Sequence, residues 1–187
     1  LTIQFDPYLN YFPNYIYMNP TPNYYEGLQW YYYTQSRVIR CGFELQVDWK
    51  ILPSLSAEFK GEYLYAEQLS GEKKGYTLPF STPWSADATL RYAFCRNNVG
   101  NEGFVAMNLH VTGRQNNIVP PEKPTPGYYT LNLTAGKDFT FGERTLRLSI
   151  NAENLLNRKY YDHTSFYRLI DVPEPGRNVA LMATFEF

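Results

Sequence analysis

Stretches of about ten residues in which apolar and polar side chains alternate at every step run through nearly all of this 187-residue chain. Successive side chains of a strand point to opposite faces, so such a stretch makes a strand with one greasy and one polar side. In 178–187 the apolar side is Val179, Leu181, Ala183, Phe185 and Phe187. In 145–154 it is Leu146, Leu148, Ile150 and Ala152, opposed by Arg147, Ser149, Asn151 and Glu153. The same reading holds for 129–139, 104–114, 84–94, 55–66 and 39–49. A weaker first stretch (Leu1, Ile3, Phe5) is expected to stop at Pro7. Eight strands result, and helical periodicity is hard to find.

Most of these strands are about twice the five to six residues of an ordinary soluble sheet, and about ten residues at a steep tilt is the length that crosses a bilayer. The connections alternate too. Tight turns are expected at 51–54 and 140–143 and a middling one at 95–103, whereas long Tyr-, Pro- and Asn-rich connections are expected at 18–36, 67–83, 115–127 and 158–176. An antiparallel meander puts every second connection on the same side, so one rim carries turns and the other large loops, as in outer-membrane barrels.

Alternation alone does not separate a membrane barrel from a soluble lipid-binding one. The distribution of charge does. The polar side carries Arg40, Glu44, Asp48, Glu58, Lys60, Glu62, Asp87, Arg91, Arg147, Glu153 and Glu186, while the apolar side carries essentially Lys137, close enough to a turn to snorkel. Eighteen Tyr, 12 Phe and 3 Trp coexist with a mean hydropathy of −0.45, so the two classes are held apart. Trp49, Trp84, Tyr63, Tyr65, Tyr92, Phe94, Phe139 and Phe187 fall near strand ends on the apolar side, where an interfacial belt belongs. Because hydrocarbon satisfies no backbone group, strands of this kind imply closure into an antiparallel up-and-down transmembrane β-barrel. Seventeen basic against 18 acidic residues exclude a nucleic-acid binder. No apolar run reaches the length of a transmembrane helix, and no signal peptide opens the chain.

The run Asn154 to Ser165 (NLLNRKYYDHTS), then Pro173 to Asn178 (PEPGRN) and a final strand ending in Phe187, resembles the C-terminal end of TonB-dependent outer-membrane receptors; Asn14–Thr21 and Gly42–Leu45 add support. The motif residues are Asn154, Asn157, Tyr160, Pro175, Gly176, Arg177 and Phe187. The resemblance implies a 22-stranded barrel of which residues 1–187 are the C-terminal segment of about eight strands, with the plug domain and earlier strands absent. It implies uptake of a scarce nutrient (siderophore, haem, cobalamin or glycan) through the TonB complex, reached by that absent plug. It places the large loops outside the cell and the C-terminus in the periplasm. Outer-membrane lipid, the barrel-assembly machinery reading Phe187, and a surface lipoprotein are the further partners it admits. In residue terms, Asn154 and Asn157 can bond local backbone where a strand leaves the membrane, and Gly176 permits the bend that opens the last strand.

Individual chemistry is sparse. Catalytic residues, metal sites and cofactors are not expected. His110 reads as a polar-face residue bonded to neighbours, and His163 lies in a long loop; zinc would need three or four such ligands. Cys41 and Cys95 fall at opposite ends of their strands and are expected to be free thiols. His163 with Ser165 is the one nucleophile–base pair and lacks an orienting third group. Asn132–Thr134 matches a glycosylation sequon but lies mid-strand. The candidate ligand-binding residues are rim aromatics and a cation: Tyr24, Tyr25, Trp30, Tyr76, Phe80, Tyr128, His163, Tyr167 and Arg168. The alternatives are a self-contained small barrel acting as adhesin or enzyme, and a soluble lipid binder.

Overall fold

The computed structural model describes residues 1–94 and 103–186. Eight strands, β1 Thr2–Tyr25, β2 Leu28–Leu52, β3 Leu55–Gln68, β4 Ser85–Phe94, β5 Gly103–Thr112, β6 Tyr128–Phe141, β7 Arg144–Glu153 and β8 Asn178–Glu186, form one antiparallel meander in sequence order. The first and last strands do not pair with each other, so the sheet is an open wall with two free edges. A self-contained closed barrel would require that pairing. Cys95 and Phe187, and with them the assembly signal and half of the thiol expectation, lie outside the described residues; Cys41 is a free thiol.

Two expectations about the N-terminal end are corrected. Pro7 does not end the first strand: β1 runs through it, with Pro7 opposite Phe43 in an unbroken register from Thr2↔Asp48 to Phe12↔Val38. The 18–36 stretch is not a loop. β1 and β2 stay paired from Tyr15↔Ser36 out to Tyr25↔Leu28, closed by the two-residue turn Glu26-Gly27. Both turn residues have positive φ, 49° and 82°, the mirror-image turn whose twist suits a hairpin. Irregularities in the pairing fall at Phe12/Tyr15 and Pro20/Tyr24, the places where Pro13, Pro20 and Pro22 withhold amide hydrogens.

Register carries the alternation across the wall. Phe5, Leu45, Val47, Trp49, Phe59, Leu90, Met107, Leu131, Ile150 and Leu181 share one face, and no protein layer covers it: Leu181 is 80% and Leu148 41% exposed. An uncovered apolar face of this extent is tolerable only against lipid or another protein surface. The opposite face is stitched by cross-strand polar pairs. Asn132 Nδ2 donates to Asn108 Oδ1 (3.0 Å), Asn108 Nδ2 to Asp87 Oδ1 (3.1 Å), and Arg147 grips Asp138 with two bonds (2.9 and 3.1 Å). His110 bonds Asp87 (3.1 Å) and Thr112 (2.9 Å), as a polar-face residue should. The same face carries a polar hollow of about 440 Å³ with Asp6, Glu44, Glu62 and Asp87 on its walls. The one buried hydrophobic cluster among the described residues, Val38, Ala66 and Leu78 with Phe12, Tyr15 and Tyr17 against it, sits at the long-loop end beneath the β3–β4 connection.

Candidate functional site

Three long connections leave the sheet on the side of the β1–β2 hairpin: 69–84, 113–127 and 154–177. The third begins from sequence that strands cannot use. Asn154 and Asn157 adopt positive φ (47° and 50°), a conformation that asparagine tolerates better than other side-chain-bearing residues. The buried Asn154 then ties both ends of its loop together: Oδ1 accepts from the Arg158 amide (2.9 Å), Nδ2 donates to the Arg158 carbonyl (2.9 Å) and to the Pro175 carbonyl at the far end (3.4 Å), and its own amide donates to Asn132 Oδ1 (2.9 Å). Asn157 Oδ1 accepts from the Arg177 amide (3.0 Å) and lies 2.8 Å from where a Cβ on residue 176 would stand. Gly176 is therefore required for that close approach; its own φ is not among the positive ones.

The loops interlock through buried charge. Arg168 and Glu122, with side chains 5% and 1% exposed, pair at 3.0 Å between two loops. Arg168 Nε also donates to the His163 carbonyl (2.6 Å), and its guanidinium lies 5.2 Å from the Phe80 ring centroid. Glu122 accepts from the Phe80 amide (3.0 Å), so one ion pair joins all three loops. Phe80, Phe166 and Tyr31 add an aromatic cluster that reaches the hairpin (Phe80–Phe166 4.7 Å, Tyr31–Phe80 6.0 Å). Lys73 Nζ donates to the Pro120 carbonyl (2.9 Å) and Gln115 Nε2 to the Ser81 carbonyl (2.8 Å). His163 is buried and shares a hydrogen bond with Thr125 Oγ1 (2.8 Å). Burial, helped by the Arg168 charge, pushes its pKa down to about 4, so it is neutral. Burial raises the neighbouring Asp162 carboxyl, but bonds from Thr164 and Tyr128 outweigh that and hold it below its ordinary value.

The nine rim candidates divide. Tyr24, Tyr25, Trp30, Tyr76 and Tyr167 are exposed, the first three at the hairpin tip and Tyr167 on the short 3₁₀ turn Phe166–Ile170. Tyr128, His163 and Arg168 turn inward. Tyr128 stacks on Tyr160 (4.2 Å) and donates to Asp162 (2.8 Å), so these three hold loops together and do not face outward. Phe80 belongs to the aromatic cluster. Tyr24 and Arg168 meet at a hollow of about 220 Å³ between the hairpin and two loops, walled also by Gln29, Lys123, Tyr161 and Asp171. Glu122, Thr125 and Asp162, on which the assembly depends, escape the sequence reading. Glu122 had one signal, an acid framed by prolines in PPEKP. Among the described residues no three His, Cys, Asp or Glu gather as metal ligands would.

Residues 1–155 match the family described as TonB dependent receptor-like, beta-barrel. No curated relative matches the chain in sequence. Of solved structures, the copper transporter OprC superposes with a TM-score of 0.79 at 18% identity, over 98% of this chain and 28% of its own. That likeness speaks for the fold, and this chain spans little more than a quarter of that protein's length. The 156–178 segment, which carries most of the sequence motif, lies past the family match and within the structural one. A meander with one uncovered apolar face, a polar face opposite and long loops at one end agrees with a match across most of the chain: it belongs to the TonB-dependent receptor β-barrel family of the bacterial outer membrane.

Proposed function

We propose that this chain is the C-terminal part of the barrel wall of a TonB-dependent importer, a 22-stranded barrel whose plug and earlier strands lie elsewhere in the protein. The observation that supports this best is the pair of free edges. Eight strands this long, apolar on one face, leave backbone N–H and C=O groups unpaired at β1 and β8, which a bilayer does not tolerate. Further strands of the same barrel would satisfy both. The long loops then lie outside the cell, the short turns and the C-terminus in the periplasm. The plug transmits the pull of the TonB complex, lipid covers the apolar face, and the assembly machinery reads Phe187.

The cargo we infer is an organic nutrient of the siderophore, haem, cobalamin or glycan kind. Tyr24, Tyr25, Trp30, Tyr76 and Tyr167 stand exposed on the loop rim, and rigid aromatics bind amphipathic groups at small entropic cost. OprC is a copper transporter, but its likeness to this chain extends to the fold alone. Deleting the whole receptor and supplying each nutrient class as the limiting source tests the reading. One class should fail to support growth, and inactivating TonB in the parent should reproduce that failure. Normal growth on all four overturns it. The rival small-barrel reading is tested separately: residues 1–187 alone should not refold in detergent into a heat-modifiable closed barrel.

A further inference from the structure

The wall's apolar face carries one feature that its role as wall does not use. Register aligns Phe94, Gly103, Lys137, Leu148 and Ala183 in a row across five strands, β4 to β8. Lys137 stands in the middle of this row, with Gly103 and Leu148 as its cross-strand neighbours and Ala135 and Phe139 along its own strand's face. None of these is a carboxylate, and Lys137 makes no ion pair among the described residues. Its Nζ lies 5.0 Å from the centroid of the Phe139 ring, two residues along β6 toward the short β6–β7 turn. The ammonium therefore points down the strand to the turn-side membrane surface, where Arg144 occupies the same face opposite Phe141.

Beside Lys137 lies a groove of about 550 Å³, almost wholly apolar, walled by Phe94, Ala135, Leu148, Ile150 and Leu181. Its shape has a cause in small residues. The Phe94 ring lies over Gly103, where a Cβ would come within 2.4 Å of it, and Ala135 and Ala183 leave the surface low between bulkier neighbours. An apolar channel ending at a cation that has no ion pair among the described residues and faces a headgroup layer is complementary to one kind of molecule, which has an acyl chain and a phosphate.

We propose that this groove is a binding site for an anionic phospholipid of the turn-side leaflet, the acyl chain lying along Ala135, Ile150 and Leu181 and the phosphate meeting Lys137. The proposal rests on the wall reading and is independent of the cargo. Native mass spectrometry of the full-length receptor, released from vesicles of equal parts phosphatidylglycerol and phosphatidylcholine, tests it. A cation at a membrane surface contributes about 1 kcal/mol toward an acidic lipid, which is about fivefold in retention. Wild type should keep phosphatidylglycerol over phosphatidylcholine by about that factor. Lys137→Gln should abolish the preference, Lys137→Arg should restore it, and Lys50→Gln, which removes a cation at the same end of the polar face, should leave it intact. Equal retention of both lipids by wild type, an unchanged preference in Lys137→Gln, or equal loss in Lys50→Gln overturns the proposal. Growth on limiting nutrients is not a readout here, so failure of the lipid site and failure of the importer reading show in different experiments.

Discussion

Replacing Arg168 by Met should open the rim without unfolding the wall. The substitution keeps an unbranched apolar side chain in place and removes the guanidinium, both from beside the Phe80 ring and from a Glu122 carboxylate that is 1% exposed. Breaking a buried pair from one side costs about 3–5 kcal/mol, because the remaining charge is left uncompensated in a poorly solvated place. At 1.36 kcal/mol per decade this is roughly two to nearly four decades in the opening equilibrium. Two amides report on it directly: the Phe80 and Val119 N–H groups both donate to the Glu122 carboxylate, at 3.0 and 3.4 Å. Hydrogen–deuterium exchange of the full-length receptor in micelles should therefore show peptides around Val119 and Phe80 losing protection by that amount. Peptides from β5 to β7, held by their own ladders, should not change. Adding Glu122→Gln should recover most of the loss, since a neutral amide oxygen can still accept from Phe80 while no charge stays buried. A loss under half a decade, or a double variant no better protected than Arg168→Met, would refute the claim that this pair locks the loops.

His163 tests the same assembly by pH. Its folded pKa, about 4, lies below the ordinary 6.5, so the unfolded loop binds the extra proton first. The stability it contributes is full above 6.5 and is lost as pH falls toward 4; an imidazole NMR titration placing the pKa at 6 or above would contradict this. Asn154→Ala removes the residue that tolerates φ 47° and the three hydrogen bonds of its side chain, to the Arg158 carbonyl and amide and the Pro175 carbonyl, and should cost about 2–4 kcal/mol, read as a lower unfolding temperature in heat-modifiability gels. Gly42→Ala drives a Cβ to within 2.0 Å of the Tyr63 carbonyl and 2.7 Å of the Tyr8 hydroxyl. It should cost at least about 1–3 kcal/mol and reduce the heat-modifiable folded fraction, whereas Gly27→Ala, with nothing within 4 Å, pays only for its positive φ.

The wall was legible because a strand crossing lipid must repeat one decision at every second residue. Leu131, Leu133 and Ala135 against Thr130, Asn132 and Thr134 leave no other register, and neighbouring strands must agree face by face. Past the bilayer-spanning part of the wall that discipline ends. Residues 18–36 keep pairing, but Tyr, Pro and Asn there no longer separate by polarity, since water or loops can meet either face; composition then reads as loop where the backbone is strand. The cue that remained was Glu26-Gly27, a two-residue turn signal set in a long stretch. Within the loops, single residues carried more. Asn154 and Asn157 announced positive φ, yet Glu122 and Arg168 are 46 positions apart, and a charge pair at that separation leaves no local pattern.

That interlocking changes what the rim can do. On the proposed importer reading, loops this long, if left free, would have to be ordered when cargo arrives, at a cost of about 1–2 kcal/mol for each residue fixed. Here the cost is met during folding, by the Arg168–Glu122 pair, the Asn154 bonds and the Phe80–Phe166 contact. Tyr76 and Tyr167 stay exposed on that fixed base, and Tyr24, Tyr25 and Trp30 on a hairpin tied to it through Tyr31. Aromatics held out by a pre-ordered support bind without that ordering loss. By the same reasoning, a variant that frees the loops should weaken cargo capture more than removal of any one exposed ring.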